Sequence, residues 1–167
     1  MTYSIAQLNE MSEAEFVSAL GDIFENTPDI AREVYQQRPF FDLEVLVERM
    51  EDAVFLLDEA AKLALIQAHP DLGSQAKMAD ASIQEQAGVG LDRLTSEEFD
   101  RFQTLNQTYK ERFGFPFVMA VKNQTKESIL EAFDRRLENP FDTEIDQALE
   151  EITKIAEFRL RDRVEPA

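Results

Sequence analysis

An all-α fold is predicted by three observations. Apolar residues recur at the 3.6-residue helical period in one segment after another. Those segments open on Ser, Thr or Asp, often with an acidic residue three places later, or on Pro. The one continuous apolar run, Phe115 to Val121, has no second strand candidate to pair with. The expected architecture is a single compact domain over residues 1–167, with six to eight helices on short connections and an irregular apolar segment around 115–121.

Taken in order, Ser12-Glu13-Ala14-Glu15 reads as a capping box for a helix carrying Phe16, Val17, Leu20, Ile23 and Phe24. Thr27-Pro28 reads as an N-cap with Pro at the first helical position, opening a short helix that Arg38-Pro39 stops. Asp42 precedes Leu43, Leu46, Val47, Met50, Val54 and Phe55 at helical spacing. Asp58 caps a further helix, apolar nearly all round and therefore expected to be buried, which delivers His69 to its end. Pro70 cannot continue the helix and pushes His69 out of helical backbone.

Residues 73–81 form a loop or turn. Ser82-Ile83-Gln84-Glu85 repeats the capping-box pattern, with Gly88 and Gly90 as stops. Thr95 to Glu98 opens a longer helix with Phe99, Phe102, Leu105 and Tyr109 on one face and Gly114 after it. Thr125 or Lys126 to Leu137 gives another, bounded by Asn139-Pro140. Asp142 caps the last, whose apolar face runs Ile145, Leu149, Ile152, Ile155, Ala156 and Leu160.

Composition narrows the function. Thirty-four acidic residues against seventeen basic ones leave a formal charge of −17, which argues against nucleic acid or an anionic membrane as partner. The absence of cysteine removes disulfides, thiolate nucleophiles and zinc-thiolate sites, and a single histidine makes most transition-metal sites improbable. Met1-Thr2-Tyr3-Ser4 has no signal-peptide character, and no apolar run reaches membrane-spanning length. A cytoplasmic protein is expected.

His69, the only histidine, is the first candidate for chemistry, since imidazole exchanges protons near neutral pH without large tuning. Its plainer role would be a helix C-terminal cap. Glu85 either pairs with the imidazole or accepts ureide-type N–H groups, or only completes a capping box. Phe113-Gly114-Phe115-Pro116-Phe117 either presents backbone groups to a flat ligand or plugs the core under a turn. Arg159 and Arg161 either bind a carboxylate or complement a helix dipole. Acidic runs such as Glu97-Glu98 and Glu150-Glu151 read as solvated helix faces.

Five segments, Arg38-Pro39-Phe40, His69 to Gly73, Ser82-x-x-Glu85-Gln86 with Gly90-Leu91, Phe113 to Val118, and Glu151-Ile152-x-Lys154-Ile155-Ala156-x-x-Arg159-Leu160, stand in one order along the chain. Together they resemble the OHCU decarboxylases, which convert 2-oxo-4-hydroxy-4-carboxy-5-ureidoimidazoline to (S)-allantoin in urate degradation. The resemblance implies an all-helical enzyme that uses neither cofactor nor metal and is commonly a homodimer. It makes His69, Glu85 and Arg159 the catalytic group. It assigns substrate contacts to Pro70, to Ser82, Ile83, Gln84, Glu85 and Gln86, to Phe117, Val118, Met119, Ala120 and Val121, and to Arg159.

The chemistry such a substrate needs agrees with this set. The C5=N imine next to the carboxyl-bearing C4 accepts the electron pair that CO2 leaves behind, so no pyridoxal or thiamine sink is required. Two other classes stay open: a metal-free hydrolase of a related ureide, and a helical interaction module that docks a partner through the 115–121 region.

Overall fold

The computed structural model describes residues 2–73 and 80–166, with side chains from Ile83 onward in the second span. Among the described residues there are nine helices: α1 Ile5–Glu10, α2 Glu13–Leu20, α3 Asp29–Tyr35, α4 Leu43–Phe55, α5 Glu59–Gln67, α6 Asp80–Gly88, α7 Ser96–Phe113, α8 Lys126–Leu137 and α9 Phe141–Arg163. No strand occurs among them, and one isolated parallel bridge pairs Tyr3 with Val164. None of the described helices is long and apolar enough to cross a membrane. The loop or turn expected over 73–81 lies, from 74 to 79, outside the described residues.

Eight helices fall where periodicity or end signals place them, and α1 is the addition. Ser4 and Gln7 cap α1 reciprocally, but six residues are too few to show a period. The capping boxes at Ser12 and Thr95 form, Thr125 caps with Ser128, and Asp42 and Asp58 accept from Val45 and Ala61 N–H groups. The Gly114 backbone is left-handed (φ 80°), ending α7 as expected.

Three helix starts differ from the reading of the sequence. The Thr27 hydroxyl donates to the Glu25 carbonyl, and Pro28 itself is the residue before α3. Asp142 lies inside the first turn of α9, because Pro140, with its preset φ, already accepts the first helical bond from Glu144. Ser82 lies inside α6, so Ser82 and Glu85 do not form a capping box at its start. A fourth correction concerns α5. Only Leu65 and Ile66 of that helix are buried, while Ala60 and Ala64 are exposed, since an alanine face has little apolar area to drive burial.

The chain divides into two compact units, Met1–Leu65 with Ile152–Ala167, and Ile66–Glu151. In the first, the Phe16 ring lies between those of Tyr35 and Phe40, at 5.6 and 6.0 Å. Arg38 stacks its guanidinium 3.7 Å over the Tyr35 ring and donates to the carbonyls of Asn9 and Met11, and Asn9 bonds both ways with the Phe40 backbone. Ile23 and Phe24 sit beyond the end of α2 but are buried all the same. The C-terminal half of α9 joins this unit through Arg161, bidentate to Glu44 at 2.8 and 3.0 Å, and through Arg163, which bonds the Ala19 carbonyl and Asp22.

The second unit is built on aromatic rings. Phe117 stacks on Phe133 at 3.8 Å, Tyr109 meets Phe117 edge-on at 5.3 Å, and Phe102, Phe113 and Phe115 extend the cluster. The run 115–121 has no regular secondary structure, and all of it except Met119 is buried.

Candidate active site

The second unit carries His69 two residues beyond α5, where its backbone N–H donates to the Ile66 carbonyl at 3.2 Å and the residue is 8% exposed. The turn leading on from His69 is tethered at successive residues. Lys110 of α7 pairs with Asp71 at 2.7 Å in a partly exposed contact. Asn106, one turn earlier on α7, donates through Nδ2 to the Leu72 carbonyl at 2.9 Å. Gln86 of α6 accepts the Gly73 N–H at 3.0 Å. The Gly73 backbone is left-handed (φ 72°), and an added Cβ would lie 2.8 Å from Leu94, which together favour glycine here.

The irregular segment is held as firmly. Burial hides its backbone from water, so its polar groups need partners from the protein. Arg136 of α8 donates to the Val118 carbonyl at 2.7 Å, and Glu151 of α9 accepts the Ala120 N–H at 3.1 Å. Arg136 also pairs with the fully buried Glu144 at 2.8 Å and lies 4.3 Å from the centre of the Phe117 ring. Glu144 accepts further bonds from Asn139 and from the Tyr109 hydroxyl. Burial, followed by the bond to Glu144, holds the Tyr109 phenol well above its ordinary pKa and so keeps it a donor.

The expected site residues therefore divide by unit. His69, Pro70, residues 82–86 of α6 and residues 117–121 all belong to the second, and Gln86 ties α6 to the histidine turn. Glu85 is half-buried, Ile83 and Gln84 are exposed, and the Ser82 side chain lies outside the described residues. With Ser82 inside α6, the capping explanation of Glu85 lapses. Arg159 belongs to the first unit. There it donates to the carbonyls of Asp22 and Ile23 and lies 3.5 Å from the Glu25 carboxylate. Its assignment to substrate is carried by the sequence pattern.

Three residues escaped the reading of the sequence. Glu151, read as part of a solvated face, is 6% exposed and holds Ala120, and Asn106 and Arg136 received no role. The available signal was register. Asn106 stands in the stripe of Phe102, Tyr109 and Phe113, and Glu151 beside Ala148 and Ile152, so each is a polar residue at a core position.

Nine helices and no strand among the described residues define an all-α protein, whose only histidine lies on a turn tethered to α6 and α7. The OHCU decarboxylase family matches residues 9–161, and the chain belongs to that family. It is 42% identical to the 2-oxo-4-hydroxy-4-carboxy-5-ureidoimidazoline decarboxylase of Haloferax volcanii over 96% of this chain and 95% of that protein. It is 44% identical to a uric acid degradation bifunctional protein of a Bacillus species, over 95% of this chain but 32% of that longer one. Among solved structures, a crystal structure of (S)-allantoin synthase aligns with a TM-score of 0.75 at 30% identity, over 97% of this chain and 54% of that chain.

Proposed function

We propose that this protein decarboxylates 2-oxo-4-hydroxy-4-carboxy-5-ureidoimidazoline to (S)-allantoin, with His69 as the acid–base group. The observation that carries the reading is the placing of the chain's only histidine, 8% exposed, on a turn held by buried amides, in a chain of this family. The C4–carboxylate bond breaks and releases CO2. Its electron pair becomes the C4=C5 bond, and the C5=N pair moves to the ring nitrogen, which takes a proton from water. His69 then accepts the C4 hydroxyl proton as that oxygen becomes a carbonyl and delivers a proton to one face of C5, which sets the S configuration.

Glu85 orients the imidazole or holds the ring and ureido N–H groups. Backbone groups of 117–121 receive the flat ring, and Pro70 with residues 82–86 completes the contacts. Arg159 is retained on its motif as the group that offsets substrate charge, which a surface of net charge −17 otherwise disfavours. The enzyme acts as a cytoplasmic homodimer and needs no cofactor, as the family resemblance implies.

The test is a circular dichroism assay on substrate generated freshly from urate. Wild-type protein should give rapid growth of the (S)-allantoin signal above the slow racemic decay, and His69→Asn should abolish that growth while leaving the helical spectrum intact. An unchanged decay rate with racemic product from the wild type would sink the reading. Release of ammonia or urea in place of CO2 would replace it with a ureide hydrolase.

A further inference from the structure

We propose that Asn106 is a positioning residue for His69, acting through the backbone of the turn that carries it. The inference rests on the acid–base role proposed for His69. Leu72 C=O and Gly73 N–H are the two polar groups of one peptide unit, and each is bonded to a buried side-chain amide, Asn106 Nδ2 at 2.9 Å and Gln86 Oε1 at 3.0 Å. That peptide is held from α7 on one side and from α6 on the other, so it can neither flip nor slide without breaking a buried bond. Only Pro70 and Asp71 separate it from His69, and Pro70 has a fixed φ.

Asn106 sits where stability alone would favour an apolar residue. It is 3% exposed in a stripe of aromatic rings, and its Oδ1 finds no hydrogen-bond partner among the described residues. Half of a buried amide is thus left unsatisfied, a cost that leucine would avoid. What leucine could not supply is the N–H that fixes Leu72. Two buried amides on a single peptide next to the proton carrier are the means by which a turn acquires the sub-ångström placement that proton delivery to one face requires.

Because the chain has one histidine, untagged protein gives one imidazole Cε1–H resonance, which reports His69 directly. The experiment compares wild type with Asn106→Leu, which keeps the branched four-atom skeleton but not the donor, and with Asn106→Ser, which is too short to reach the Leu72 carbonyl. A shifted or broadened imidazole resonance is expected in the folded variants. Their kcat should fall about a hundredfold with KM within about threefold, and the enantiomeric excess of the product should drop. Where Asn106→Leu does not accumulate folded, Asn106→Ser decides. A resonance identical to wild type, or kcat and enantiomeric excess at wild-type values, overturns the proposal. If wild-type protein itself fails to turn over the ureidoimidazoline, the activity reading falls, and the imidazole comparison still decides whether Asn106 places His69.

Discussion

At Arg136 one guanidinium serves three purposes: an ion pair with Glu144, a bond to the Val118 carbonyl and a cation–π contact with Phe117. All of this occurs at 3% exposure, where removing one partner leaves the other charge stranded. Arg136→Met is expected to destabilise the protein by about 3 kcal/mol, the low end for a broken buried pair, because Glu144 keeps its donors Tyr109 and Asn139. Adding Glu144→Gln should recover part of the loss. A double-mutant cycle in denaturant checks both, and additive losses would show that the two side chains do not act as a unit.

Among the elements, the start of α7 makes a pH-dependent contribution. The Thr95 N–H, followed by the Lys126 ammonium, holds the Glu98 carboxyl below its ordinary pKa. A carboxyl whose pKa is lower in the folded chain stabilises it above the unfolded value and loses that contribution as pH falls through the folded value. The gap in thermal midpoint between wild type and Glu98→Gln should therefore be full near neutrality and close on the acid side of about pH 4. Scanning calorimetry across that range measures it. Most such elements were legible in the chain, since Ser12, Thr95 and Asp58 act locally and periodicity marks the helices they open. The site was legible only as residue types. Asn106 and Glu151 bond to backbone 34 and 31 residues away, and a sequence pattern shows a polar residue in core register without showing its partner. Ser82 misled because a capping box and the inside of a helix can carry the same four letters.

For the whole molecule the dominant fact is the charge of −17, which repels itself most strongly in the folded state, where the charges are closest. Raising sodium chloride from about 10 mM to about 150 mM shortens the screening length from about 30 to about 8 Å and should raise the thermal midpoint. A flat or falling midpoint would mean that ion pairs such as Arg161 with Glu44 outweigh the repulsion. The division of the chain has a consequence of another kind. The unit Ile66–Glu151 is one uninterrupted stretch, whereas the other needs Ile152–Ala167 as well as the first 65 residues, and the pairing of Tyr3 with Val164 joins its two pieces at their far ends. During synthesis the stretch Ile66–Glu151 is complete while the other unit still lacks the later part of α9. The half that carries the histidine is thus the first whose residues have all been joined, and the N-terminal helices wait for the stretch that holds Val164 before their unit can close.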